Sequence, residues 1–240
     1  MFVTPSICYD SPRTGDHLWR KSLSWLDYGF LKALEKPPKH LIIGSFDDVH
    51  ERNAWFICDT THAAYGWQMR DITGKISTDA YYNRVREWLT KGYAEPFNPG
   101  GKLRDGAYQV ISCDHGAMFG PIENRRECSP LRVKVPDSEL DSLYWFYHLG
   151  NDEYRIVKLN TGFSLESLND RNGSPIRQNY DSESFCQRWK LICHDDGTCS
   201  LIGRLHGKAF ALNPAGDIVV DGYKENEACQ RWIIKPIKTL

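Results

Sequence analysis

The sequence predicts a chain in two parts, a small α+β unit followed by an all-β unit built from a threefold internal repeat. Three observations predict it. A glycine-centred segment recurs: Tyr108–Phe119, Tyr154–Leu165 and Cys199–Phe210 align, placing Gly116, Gly162 and Gly207 at spacings of 46 and 45. A second marker agrees, because Cys186-Gln187-Arg188-Trp189 returns as Cys229-Gln230-Arg231-Trp232 at a spacing of 43. Residues 1–100 carry neither marker and contain segments of helical period instead.

In chain order, Asp16–Glu35 places Leu18, Trp19, Leu23, Trp25, Leu26, Phe30, Leu31 and Leu34 mostly three or four apart, the spacing of an amphipathic helix. Lys36-Pro37-Pro38 stops it. His40–Gly44 and Ala54–Cys58 read as buried strands, and Gly66–Ile72 as a third. Ser77-Thr78-Asp79 offers an N-cap to a second helix with Tyr82, Val85, Trp88 and Leu89 on one face. Phe97-Asn98-Pro99-Gly100-Gly101 is a linker, so the units are expected at 1–101 and 102–240.

In the second unit each repeat reads as strand, Gly turn, returning strand, and the glycines fit turns that need positive φ. Trp145, Trp189 and Trp232 are expected to mark one core position seen three times. Short strands bounded by Gly, Asn, Asp and Pro cannot bury their apolar faces alone, but three units around an axis share one core. The architecture that fits is a β-trefoil, a closed antiparallel barrel that leaves no exposed sheet edge.

The loop Asn172-Gly173-Ser174-Pro175-Ile176 ahead of Gln187-Arg188-Trp189, with the recurrence of Gln-x-Trp, resembles the ricin-type (R-type) lectin β-trefoils over roughly residues 103–237. The resemblance implies a binding protein for glycans or glycoproteins of galactose or N-acetylgalactosamine type. In that family an acidic residue follows the second strand, an aromatic lies on the next, and an amide precedes the Trp. In the second repeat these positions fall on Glu166, on Asn179 with Tyr180 beside it, and on Gln187; Cys186 stands where an Asn is usual. The third repeat has Ala211 at the acidic position, with Asn213, Asp217, Asp221, Tyr223 and Gln230 nearby. The first has Gly120-Pro121 there, with Arg132 and Lys134 later, and no family-type site is expected in it. Shallow single sites bind weakly, so self-association into a multivalent homo-oligomer is expected. Two rival readings stand beside this one: a trefoil that binds a protein partner, and an enzyme or toxin whose first unit acts while the trefoil targets it.

Composition limits the function classes. Lys plus Arg is 30 against 31 for Asp plus Glu, so the basic excess of a nucleic-acid binder is absent. No apolar run approaches the length of a membrane span, and no signal peptide is read at the start, so a cytoplasmic or non-classically secreted protein is expected. Most of the eight Cys read as buried thiols, but Cys193 and Cys199 flank a turn and are expected to face each other. Cys58 and His62 are the catalytic candidates, a thiol and an imidazole four apart, although binding rather than turnover is expected. Asp47-Asp48-Val49-His50-Glu51 reads as a solvated loop before a metal site, and neither metal nor cofactor is expected.

Overall fold

The computed structural model describes residues 101–237 except 124, 125, 137, 181 and 183. Before residue 101 it describes helices at 23–35 and 80–90 with residue 79, residues 39–40, and the backbone of six two-residue strand fragments. The first fragments pair Phe2–Val3 with Ile42–Ile43 and Tyr9–Asp10 with His17–Leu18. The expected strands around 40–44 and 54–58 are therefore described only in part, and the one expected at 66–72 lies outside the described residues.

Helix α1 is Leu23–Glu35 and ends just before the Lys-Pro-Pro stop. It starts seven residues later than the apolar period implied, and His17–Leu18 within that stretch is paired as strand. Helix α2 is Ala80–Thr90 and buries Ala80, Tyr81, Arg84 and Trp88. The expected face was Tyr82, Val85, Trp88 and Leu89, yet Tyr82 and Leu89 are exposed. The rotation has a cause: Arg84 points inward to a carboxylate on α1, and the ring of Trp88 stacks on Phe30 at 5.2 Å.

The repeat region forms thirteen strands. The first unit has β1 (Gly106–Ser112), β2 (Phe119–Pro121), β3 (Leu131–Val133) and β4 (Leu143–Gly150). The second has β5 (Glu153–Lys158), β6 (Ser164–Glu166), β7 (Ser174–Pro175), β8 (Arg177–Asn179) and β9 (Arg188–Cys193). The third has β10 (Cys199–Gly203), β11 (Ala209–Leu212), β12 (Ile218–Asp221) and β13 (Trp232–Pro236). Six strands close a barrel in the order β1-β4-β5-β9-β10-β13, and β13 returns to pair with β1. The hairpins β2/β3, β6/β8 and β11/β12 cap one end. They meet through backbone bonds, Leu131 N–H donating to Ile176 O and Ile176 N–H to Ile218 O, both at 2.9 Å. A closed barrel with three hairpin caps is the β-trefoil arrangement.

The glycine markers fall where expected. Gly116, Gly162 and Gly207 have φ of 61, 77 and 69°, and each amide donates to the carbonyl four residues back at 2.8 Å. Three residues beyond each lie Phe119, Leu165 and Phe210, whose carbonyls accept from the next layer of rings. Trp189 Nε1 donates to Leu165 O at 3.0 Å and Trp232 Nε1 to Phe210 O at 3.1 Å. In the first unit the donor is the Tyr144 hydroxyl, 3.4 Å from Phe119 O.

Tyr144 therefore occupies the tryptophan position, and the expected role of Trp145 is corrected. Successive strand residues face opposite ways. Tyr144 points into the barrel core, whereas Trp145 joins Ala107, Leu143, Tyr147, Val157 and Leu159 on the outside. Trp25, Tyr28 and Leu31 of α1 pack on that outer cluster. The same shift puts Ser142, not Leu143, opposite Gln187 and Gln230 in the repeat.

A polar knot fastens this contact. Asp27 on α1 accepts from Arg84 Nε at 2.7 Å and Nη2 at 2.9 Å, from Trp88 Nε1 at 2.7 Å and from the Tyr147 hydroxyl at 2.9 Å. Arg84 and Asp27 are both fully buried. Burial opposes the Arg84 charge, but Asp27 outweighs it and holds the guanidinium above its ordinary range.

Candidate functional site

The caps of the second and third units place the predicted sugar contacts. Cross-strand register sets the equivalences: Ser164 faces Asn179 and Glu166 faces Arg177, while Ala209 faces Asp221 and Ala211 faces Val219. Glu166, Ala211 and Gly120 thus share one position, and Asn179 and Asp221 share another.

Glu166 is buried, and its oxygens are occupied. Oε1 accepts from Arg177 Nε and Nη2, both at 2.9 Å, and from Asn179 Nδ2 at 3.0 Å. Oε2 accepts from Gln187 Nε2 at 3.2 Å and faces the Cys186 sulfur at 3.6 Å. Burial pushes the Cys186 thiol up. The ring of Tyr180 does not shift into the Asn179 position but packs edge-on against Phe163 at 5.4 Å.

Gln187 and Gln230 do one structural job. Both are fully buried, and each clamps the segment between the cap and the following 3₁₀ turn. Gln187 Oε1 accepts from Ser182 N at 2.7 Å while Nε2 reaches Tyr180 O. Gln230 Oε1 accepts from Lys224 N and Nε2 donates to Gly222 O, both at 2.8 Å. A buried amide with both ends satisfied fixes a loop without spending an exposed group.

In the third unit the clamped segment presents Asp221 and Tyr223, both partly exposed. Asp221 Oδ1 accepts from Gly222 N at 2.7 Å, and Oδ2 takes no hydrogen bond among the described residues. Asn213 is not brought to them. It sits at the tip of the β11/β12 hairpin, where its Oδ1 accepts from Ala215 N at 2.9 Å and Asp217 N at 2.8 Å, while Asp221 lies at the base. Asp217 is tied to the first unit through Arg132 Nη2 at 2.6 Å, a contact that sequence reasoning missed. The structure therefore joins Glu166, Asn179 and Gln187 by hydrogen bonds in one unit, while in the other Gln230 holds the backbone on either side of Tyr223, next to Asp221.

A separate depression of about 370 Å³ lies in the first cap, lined by Glu123, Arg126, Glu127, Cys128, Ser129 and Pro130. The predicted sugar positions are elsewhere. Cys58 and His62 lie outside the described residues, as do the side chains of the Asp47–Glu51 run. Among the described residues no group of three or more His, Cys, Asp or Glu is placed to hold a metal, and no helix is long and apolar enough to cross a membrane.

Searched by sequence, the chain matches no family model and no curated protein. Solved structures do match. A designed threefold-symmetric protein, ThreeFoil, is 21% identical, with a TM-score of 0.51 over 55% of this chain and all of that one. The likeness is one of fold. A mosquitocidal holotoxin is 16% identical, with a TM-score of 0.51 over 57% of this chain but only 18% of the toxin. The lectin of Polyporus squamosus is 17% identical over 55% of this chain and 49% of the lectin, with a TM-score of 0.49.

Proposed function

We propose that this chain is a carbohydrate-binding protein of ricin-type lectin character, holding galactose- or N-acetylgalactosamine-type glycans on the caps of its third and second units. The observation that carries the reading is the exposure of Asp221 and Tyr223 on a segment pinned by Gln230. Asp221 ends β12 and Tyr223 lies two residues beyond it. A partly exposed carboxylate there accepts from sugar hydroxyls while the ring covers the apolar C–H face. Prior fixing of the segment lowers the ordering cost of a weak, shallow site. The second unit repeats the clamp and offers Asn179 and Tyr180, with Glu166 holding the amide in place rather than waiting for a ligand. Self-association of the chain then multiplies weak sites into useful avidity.

The test is a glycan array probed with the full chain and with Asp221→Ala and Tyr223→Ala. Loss of a galactose-type signal in both variants, with unchanged melting temperature, supports the reading. A blank array for the unmodified chain sinks it. One observation favours a second reading, a trefoil bound to a protein partner: the shared acidic position is Gly120, Glu166 and Ala211, and its single carboxylate is consumed internally. A blank array together with specific capture of a protein partner turns the assignment to that reading.

A further inference from the structure

The strongest break in the threefold pattern outside the caps lies at the far end of the barrel. Strand register pairs Pro236 with Tyr108 and His148 with Tyr154 at two equivalent places; at the third it pairs Cys193 with Cys199. Two positions that hold rings elsewhere have both become cysteine, and they are partners. Tyr154 fills its slot with a ring whose hydroxyl donates to Leu103 O at 3.1 Å. The thiols leave that volume to two sulfurs 3.4 Å apart, the Cys199 S–H donating to Cys193.

The backbone suits a bridge. Arg204 N–H donates to Arg188 O and His194 N–H to Thr198 O, both at 2.9 Å. These bonds fix the alternation along β9 and β10 and make Cys193/Cys199 a non-hydrogen-bonded pair, the closer of the two kinds at about 4.5 Å between Cα atoms. Disulfides need about 4.4–6.8 Å, so side-chain rotation alone brings the sulfurs to bonding distance. Access is unequal: Cys193 is exposed and Cys199 buried.

We propose that Cys193 and Cys199 are a redox-active dithiol that a low-molecular-weight disulfide converts reversibly into an intramolecular bridge. The exposed Cys193 thiolate attacks one sulfur of the reagent, whose S–S bond breaks and releases one thiolate, leaving a mixed disulfide on Cys193. Cys199 gives its proton to solvent and attacks the Cys193 sulfur, and the second reagent thiolate leaves. The two protein thiols have together lost two electrons, and one reagent disulfide has become two thiols. The order follows from burial, which pushes the Cys199 thiol up to about 12 and leaves Cys193 to act first. Proximity drives the second step despite that high value, because the mixed disulfide forms beside its resolving thiol.

The experiment uses the reduced full chain, oxidised glutathione as the reagent, an alkylating quench and peptide mass mapping. The expected product is a linked peptide pair containing Cys193 and Cys199, lighter by two hydrogens and restored by excess reduced glutathione. Cys199→Ser should retain glutathione at Cys193, whereas Cys193→Ser should acquire none at Cys199. On the unmodified chain, phenylarsine oxide, which bridges paired thiols, should abolish alkylation of both cysteines together. A mixed disulfide that persists at Cys193 without closing, or a bridge that excess reduced glutathione leaves intact, overturns the proposal. So does phenylarsine oxide that leaves both thiols open to alkylation.

Discussion

The first repeat unit and the other two share a backbone but use it differently. Units two and three keep a tryptophan in the core and a buried glutamine beneath the cap. Unit one has Tyr144 and Ser142 at those places, and the outer side of the same strand lies under α1. The 3₁₀ turn just before that strand shows the exchange. In the second unit it exposes Phe185, whereas in the first Leu140 and Leu143 belong to the cluster packed by the helix. The repeat that lacks the glutamine clamp is the one that carries a helical neighbour. Pseudo-symmetry is thus lost where the strand is packed on its outer side as well as its inner one.

The largest effect that would break this contrast is in the knot under α1. Asp27→Ala removes the buried carboxylate from the Arg84 guanidinium, which keeps the half-exposed Glu87 at 2.9 Å, and the expected loss is about 3–5 kcal/mol in urea denaturation. An unchanged midpoint would mean that the helix contributes nothing to the first unit. Trp189→Ala and Trp232→Ala should each cost about 3–5 kcal/mol, while Tyr144→Phe costs about 1 kcal/mol, since it loses one long hydrogen bond and keeps the ring.

A pH profile probes the same junction. Asp105 receives the His148 amide at 2.8 Å, and burial, only partly offset by that bond, raises its carboxyl to about 7. The native state therefore binds its proton more tightly than the unfolded chain. This contribution to stability is full below pH 4 and falls as pH rises toward 7, by a total on the order of 2–4 kcal/mol. Asp105→Asn should flatten that part of the profile in thermal melts.

Smaller effects separate the amide clamps. Gln187→Ala and Gln230→Ala should each cost about 1–3 kcal/mol by exposing unpaired backbone groups, with Gln187 the worse because Glu166 loses a donor too. Ser142→Ala, at the equivalent place, should cost about 1 kcal/mol or less. Equal losses at all three positions would erase the distinction between the units.

Much of the barrel was legible because its signals are local. A glycine at positive φ has few substitutes, and a core indole that recurs with Gln two places before it marks a period. Trp145 misled because it stands one residue beyond the true position, where Tyr144 does the same work with a hydroxyl. The correcting signal lay in Leu143-Tyr144-Trp145-Phe146-Tyr147. That run is apolar on both alternating faces, so the strand must be covered on both sides. The candidate site was less legible. Glu166 stands where an acid was expected, but its saturation depends on Arg177 facing it across the hairpin, a register that no motif encodes. Asn213 and Asp221 are near in sequence yet lie at opposite ends of one hairpin.

Closure of the barrel by β13 against β1 also orders events during synthesis. Until Trp232–Pro236 emerges, β1 and β10 each lack a neighbour. The nascent chain at that stage is an open sheet with two unpaired edges and an unfilled tryptophan slot. A chain interrupted before Trp232 would present a template for strand addition, which is a route to aggregation. Strand β13 is therefore the one that turns a sticky sheet into an edgeless barrel.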